Sequence, residues 1–297
     1  MVHGEVGVGD LRVRLLGGFQ LTSDAGPGER PIRRKAQELL ALVLLAPQRN
    51  VLRETAAEAL WPSAETEASK KSMRQVLWQL HQATDPGGAR LVLTEGEVIR
   101  INPDRRVWLD VDVFVTASRS ATGLDELAHA TDLYRGPLMD GYYDDWFLIE
   151  RARLADLHLA LLDKLSVEHE RRGGLDAAIG WAQRLLEVEP AHERTHRRLM
   201  NLYYRTDDRT RALRQFRRCQ QVLMHELGIR PSARTGRLAA EIGADAGSEP
   251  EPAALDGVRA ELAVLRATVD DLRERLGKAE TDGRRSGDRA RVSMSSS

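Results

Sequence analysis

Two stretches of this sequence superimpose on each other at a fixed offset, and that offset constrains the fold more than any other feature. "GGLDAAIGWAQRLLEVEP" (173–190) and "DDRTRALRQFRRCQQVLMHE" (207–226) align at 34 residues. Ala178 then matches Ala212, Ile179 matches Leu213, Ala182 matches Phe216, and Leu165 matches Leu199. A unit of this length is one helix pair. Small residues let paired helices approach, larger ones fill the gaps, and the apolar face is buried only when successive units stack.

Thirty-four residues is the tetratricopeptide period, so 111–245 is expected to be an all-helical, tetratricopeptide-like domain. "LDELAHATDLYRGPLM" and "DDWFLIERARLADLHLALLDKL" supply further helices for the stack. The period explains this region without any catalytic residue.

Residues 10–110 read differently. "LRVRLLGGFQL" alternates and ends in a glycine pair, the start of a strand or hairpin. "RRKAQELLALVLLA" is helical, with an apolar face of Leu39, Leu40, Val43 and Leu44, and stops near Pro47. "RETAAEALW" is a shorter helix, and "SKKSMRQVLWQLHQAT" is a third, closed by the turn cluster "DPGG". "RLVLTEGEVIRIN" is a hairpin with its tip at "TEGE". Strands, three helices and a terminal hairpin make an α+β winged helix-turn-helix, so the chain as a whole is mainly α.

In the third helix Met73, Val76, Leu77 and Leu80 recur at i, i+3, i+4 and i+7, a stripe that must face a core. At 100° per residue the opposite side holds Lys71, Arg74, Gln75 and Trp78, with Lys70 and Ser72 flanking its N-terminal end. Arg and Lys reach guanine O6 and N7, Gln brackets adenine, and either cation binds phosphate. Such a face is ordinarily only solvated. A tryptophan is expensive to leave there, however, and this helix stands where a helix-turn-helix places its recognition helix. These residues are therefore candidates for double-stranded DNA. Arg33, Arg34 and Lys35, opening the first long helix, are candidate phosphate ligands.

Charge and composition bound the rest. The net charge of −1 argues against indiscriminate coating of nucleic acid, whereas residues 10–110 carry 15 Lys+Arg against 13 Asp+Glu, which leaves room for a local basic face. Hydrophobic residues make up 42% and charged ones 30%, no apolar run approaches membrane-spanning length, and the N-terminus lacks the pattern of a secretion signal. The single cysteine, Cys219, excludes an internal disulfide and a multi-cysteine zinc site. A cytoplasmic, nucleoid-associated protein without membrane contact is expected.

After the linker at 246–254, Leu255, Val258, Leu262, Leu265, Val269, Leu272 and Leu276 alternate at spacings of three and four. That is an a/d seam over residues 255–278, fit for a coiled-coil homodimer through Leu255–Leu276, with Glu261 facing a partner's Arg266. Folding back onto the repeat domain is the alternative. Residues 279–297 have no apolar pattern and are expected to be disordered.

One motif competes with this picture. "HERTH" (192–196) fits H-E-x-x-H, in which two histidines ligate zinc and the glutamate activates a metal-bound water. No third-ligand extension follows, since 197–202 reads "RRLMNL", and the segment falls where a repeat begins its first helix. It is read as structural. No G-x-S-x-G elbow is present, Cys219 reads as a core residue, and Asp144–Asp145 beside Trp146 read as solvating or capping acids. Neither enzymatic activity, nor a metal, nor a cofactor is expected.

The order winged helix then tetratricopeptide-like domain resembles the Streptomyces antibiotic regulatory proteins, which join an OmpR-type DNA-binding domain to a bacterial transcriptional activation domain. The resemblance spans about residues 10–243. It rests on "LLGGFQL", "RRKAQELLALVLLA", "KKSMRQVLWQLH" and the hairpin, then on "LYRGPLMDGYYDDWFLIERARL" and "HERTHRRLMNLYYRTDDRTRALRQFRRCQQVLMHELGIRPS". It implies an activator of a secondary-metabolite gene cluster that binds direct repeats near promoters and engages RNA polymerase holoenzyme. It also puts Lys71, Arg74 and Gln75 on the base-reading helix and Arg100 of the second wing strand near the minor groove or its phosphates. Lys70–Lys71 stand where many relatives have Arg-Asn, the heptad tail is an addition, and no P-loop is present. The reading from a different class is a tetratricopeptide adaptor whose winged helix contacts protein.

Overall fold

The computed structural model describes residues 11–23, 31–85, 90–244 and Arg266. The expected linker, the seam Leu255–Leu276 apart from helical Arg266, and the 279–297 tail lie outside the described residues. The chain divides into two compact units, Met1–Pro231 and Ser232–Ser297. No helix among the described residues is long and apolar enough to cross a membrane.

The first unit opens on a three-stranded sheet. β1 (Leu11–Arg14) pairs antiparallel with β2 (Gln20–Ser23) and parallel with β6 (Val107–Leu109), giving the order β2-β1-β6. The alternation in β1 sends Leu11 and Val13 into the core, while the guanidinium groups of Arg12 and Arg14 each lie 5.6 Å from the Trp108 ring on β6. Helix α1 (Arg34–Leu45) buries Ala36, Leu39, Leu40, Ala41, Val43 and Leu44. A 3-10 turn at Pro47–Arg49 ends it, leading into β3 (Asn50–Leu52) and α2 (Arg53–Leu60). Helix α3 (Thr66–Thr84) follows, then β4 (Val92–Glu95) and β5 (Val98–Ile101), which form a second antiparallel sheet of order β3-β5-β4.

Two short strands escape the sequence pattern. β3 and β6 have three residues each, too few to display a period, and they exist because β5 and β1 offer them an edge. Helix α3 also starts three residues before the expected Ser69. Its first turn is polar and carries no apolar signal, and Ser69 Oγ donates to the Glu65 carbonyl at 2.9 Å.

The helical region contains α4 (Asp110–Ser120), α5 (Leu124–Leu133), α6 (Leu148–Arg171), α7 (Leu175–Val188), α8 (Glu193–Arg205) and α9 (Arg209–Leu227). The 34-residue period becomes two helix hairpins, α6–α7 and α8–α9. Ala178, Ala182 and Ala212 are fully buried, and Leu165 and Leu199 fill equivalent core positions. Even the turns repeat. Gly173 (φ +82°) and Asp207 (φ +58°), 34 residues apart, both take the left-handed conformation that reverses the chain. The hairpins are joined by polar clasps: Arg198 contacts Asp163, Arg205 meets Glu170 at 2.5 Å, and Gln183 donates to Tyr203 Oη at 2.9 Å. In the second unit α10 (Ala233–Ala244) buries Thr235, Ala239 and Ile242 on one stripe.

Within the first unit the winged helix and the repeats share one core. Asp110, 1% exposed at the start of α4, accepts the backbone N–H groups of Leu15 (2.9 Å), Leu16 (3.0 Å) and Val111 (2.9 Å). Leu16 bridges to Leu138, and Met139 N–H donates to the Leu15 carbonyl at 2.7 Å. A Cβ on Gly17 would meet Arg135 at 3.0 Å, so the second half of the chain packs here only against a glycine. Arg151 ties the same loop down by donating to the carbonyls of Leu138, Met139 and Tyr142.

One buried histidine in this body sets a pH dependence. His158 on α6 stacks on Tyr134, with ring centroids 4.2 Å apart, and burial followed by the charge of Arg184 pushes its pKa down to about 4. The folded chain holds it neutral, whereas the unfolded chain protonates it below its ordinary 6.5. Stability should therefore be complete above pH 6.5 and fall as the pH drops toward 4, by about 2 kcal/mol from this residue at pH 5. Urea midpoints at pH 7.5 and 5 measure the effect. His158→Phe, which keeps a ring against Tyr134, should remove most of the difference.

Candidate nucleic-acid interface

Helix α3 is held by its inner face, where Met73, Val76, Leu77 and Leu80 are buried as their spacing requires. Successive residues turn by about 100°, so Lys71, Gln75, Trp78 and Gln82 lie along the line directly opposite, with Arg74 beside them. All five are exposed. Lys71, Arg74 and Gln75 make no hydrogen bond or ion pair among the described residues, and Trp78 is 61% exposed. Gln82 went unnoticed in the sequence. It lies eleven residues beyond Lys71, on the same line.

The flanking candidates differ. Lys70 is hydrogen-bonded to Glu67 at 2.8 Å, which raises the Lys70 pKa and lowers that of Glu67. Ser72 is half-buried at the side of the ridge.

The hairpin β4–β5 turns through Gly96–Glu97 and is the wing. Arg100 in β5 is half-exposed and paired with Glu95 at 3.3 Å. The tip itself carries Glu95 and Glu97, both exposed, with Arg100 paired to Glu95 and the charge of Lys70 acting on Glu97.

At the start of α1 the structure separates the expected phosphate ligands. Arg33 is the exposed residue preceding the helix, with extended backbone. Arg34 and Lys35 are engaged elsewhere. Arg34 pairs with Glu38 at 3.2 Å, donates to the Gly141 carbonyl at 3.0 Å, and lies 4.5 Å from the Tyr142 ring. Lys35 pairs with buried Glu38 at 2.5 Å and with Asp144 at 3.3 Å, while Tyr142 Oη bonds to Gln37. These two cations clasp the repeat domain, while the Arg34 side chain remains 55% exposed. The clasp was hidden from the sequence because its partners lie more than a hundred positions apart.

The "HERTH" segment has a structural use. His192 is not in the helix but caps it, with ψ +85°, and its Nδ1 lies 2.7 Å from Thr195 Oγ1. His196 is fully buried and both of its ring nitrogens are occupied. Nε2–H donates to the Pro190 carbonyl at 2.8 Å, and Nδ1 accepts from the Gln215 amide at 2.7 Å. The carbonyl can only accept, which settles the tautomer. Burial lowers the pKa of both histidines. Cys219 is likewise buried and its thiol is pushed up to about 11, away from reactivity.

A family model described as the bacterial transcriptional activator domain matches residues 111–243. Among curated proteins, the transcriptional regulatory protein MoaR1 of Mycobacterium bovis (strain BCG / Pasteur 1173P2) is 23% identical over 213 residues, 67% of this chain and 68% of its own. MoaR1 of Mycobacterium tuberculosis (strain ATCC 25618 / H37Rv) is 23% identical over 212 residues with the same coverage. Among solved structures, Mycobacterium tuberculosis EmbR in complex with a low affinity phosphopeptide superimposes with a TM-score of 0.66 at 21% identity, covering 87% of this chain and 71% of that one. That likeness speaks for the fold, and the matched domain and the curated relatives speak for the role. Residues 111–243 match the bacterial transcriptional activator domain, and over about two thirds of its length the chain is similar to transcriptional regulatory proteins.

Proposed function

We propose that this regulator is a non-enzymatic activator that reads double-stranded DNA with α3 laid in the major groove. The observation that carries the reading is the ridge of Lys71, Arg74 and Gln75, free of hydrogen bonds and ion pairs among the described residues, opposite a buried stripe. Arg74 and Gln75 supply base contacts, Lys71 and Arg33 reach phosphates, and Arg100 supports them from the wing. The targets are direct repeats near promoters of a secondary-metabolite gene cluster, the further partner is RNA polymerase holoenzyme, and the compartment is the cytoplasm. With a local balance of only +2 in residues 10–110, one winged helix has modest affinity. Pairing of two chains through Leu255–Leu276 would raise occupancy of adjacent repeats by effective concentration.

A salt titration tests the reading. With about three phosphate contacts per chain, log affinity should fall against log salt with a slope of about −3. No binding to any duplex selected from a random library, even at low salt, sinks it. Sedimentation of the full chain and of a form ending at Ala246 tests the pairing, which fails if both are monomers at tens of micromolar. The adaptor reading has one observation of its own, the exposed run of Tyr143, Leu148 and Ile149 (82%, 51% and 85%).

A further inference from the structure

Trp78 is the one groove-facing residue that polar recognition leaves unexplained. Its neighbours on α3, Leu77 and Leu80, are 6% and 0% exposed, yet Trp78 is 61% exposed. Among the described residues its indole makes no hydrogen bond, ring stacking or cation contact. Arg side chains, by contrast, lie over Trp108 and Trp181. The ring stands on the ridge with Lys71 and Gln75, at i−7 and i−3, and one turn beyond Arg74.

From this placement, and resting on the DNA reading above, we infer that Trp78 selects thymine in the operator by packing its ring on the C5-methyl group. In the major groove every base edge offers hydrogen-bonding atoms, but thymine alone adds an apolar group. The indole has a broad apolar face and a single N–H donor. Against a G·C edge it would strip water from O6, N7 and N4 and could satisfy at most one of them. Against thymine the methyl meets the ring and the N–H remains free for O4 or a nearby phosphate. The helix rises about 6 Å from Arg74 to Trp78. The thymine therefore lies one to two base steps, at about 3.4 Å each, from the base that Arg74 reads.

Replacing thymine by deoxyuridine removes the methyl group and nothing else. The full chain is titrated against its selected duplex with each thymine of a half-site replaced in turn. One position, within two base pairs of the Arg74 contact, should weaken binding about fourfold, the equivalent of one buried methyl group. Trp78→Ala should bind the unmodified duplex at least fourfold more weakly and become indifferent to deoxyuridine at that position. Trp78→Phe should retain part of the sensitivity, and thermal melts of both variants should match the parent because the side chain is exposed. The proposal is overturned if the parent binds its duplex specifically but no thymine is methyl-sensitive, or if the sensitivity survives in Trp78→Ala. It is equally overturned if Trp78→Ala binds as the parent does, which assigns the indole to a protein contact. Failure of the parent to bind any duplex removes the DNA reading itself, a result distinct from these.

Discussion

Lys71→Ala combined with Arg74→Ala is expected to abolish selective DNA binding while leaving the protein folded. Arg74 in a bidentate base contact is worth about 1–3 kcal/mol, and a lost phosphate contact at Lys71 adds to it, so affinity for the operator should fall roughly a hundredfold or more. Stability should stay within about 0.5 kcal/mol of the parent, because both side chains are exposed and neither makes a hydrogen bond or ion pair among the described residues. The single variants separate the two roles. Lys71→Ala should flatten the salt slope by about one and weaken all duplexes alike, and Arg74→Ala should relax the preference at one base pair. Lys70→Ala provides a contrast. Its ammonium is hydrogen-bonded to Glu67, and both groups are exposed, so its removal should matter less than that of Lys71. Titration of the double variant with affinity for the selected duplex unchanged, alongside an unchanged melting curve, would remove α3 from the recognition surface.

How far the sequence could take this follows from where its signals are local. The inner stripe of α3 needs only the spacing of Met73, Val76, Leu77 and Leu80, and the opposite ridge follows from the same wheel. The repeat was legible because stacking imposes the same small residues at Ala178 and Ala212, and it extends to the turn residues Gly173 and Asp207. The clasp between the halves was not legible. Arg34, Gln37 and Glu38 belong to one helix turn whose partners, Gly141, Tyr142 and Asp144, sit in a loop brought near only by tertiary folding. A basic trio read by itself suggests phosphate; beside a buried glutamate, two of its members, Arg34 and Lys35, also hold the halves together. The same holds for "HERTH", where spacing alone suits zinc and the contacts of His196 to Pro190 and Gln215 give its ring another use.

The largest effect on stability should come from Asp110→Ala. The carboxylate is 1% exposed and accepts three backbone N–H groups, from Leu15, Leu16 and Val111. Burial raises its pKa, and the three donors oppose that shift. Alanine would leave those donors in the core with no acceptor, at about 1–3 kcal/mol each, so a loss of roughly 3–9 kcal/mol is expected. Domains of this kind are stable by about 5–15 kcal/mol, and the variant should therefore unfold at much lower urea or accumulate as aggregate. Asp110→Asn keeps one acceptor oxygen but sets an NH2 group against N–H donors, and an intermediate loss follows. Asp112, two residues along the same helix, is the internal comparison. It pairs with Arg49 at the surface, with the two side chains 53% and 32% exposed, so Asp112→Ala should cost at most about 1 kcal/mol. Because Asp110 joins the end of β1 to the start of α4, its loss should loosen the winged helix and the activator domain together. A single shared unfolding transition at lower denaturant is the expected trace. A loss below about 1 kcal/mol in Asp110→Ala would show that the β1–α4 junction is held by its apolar contacts instead.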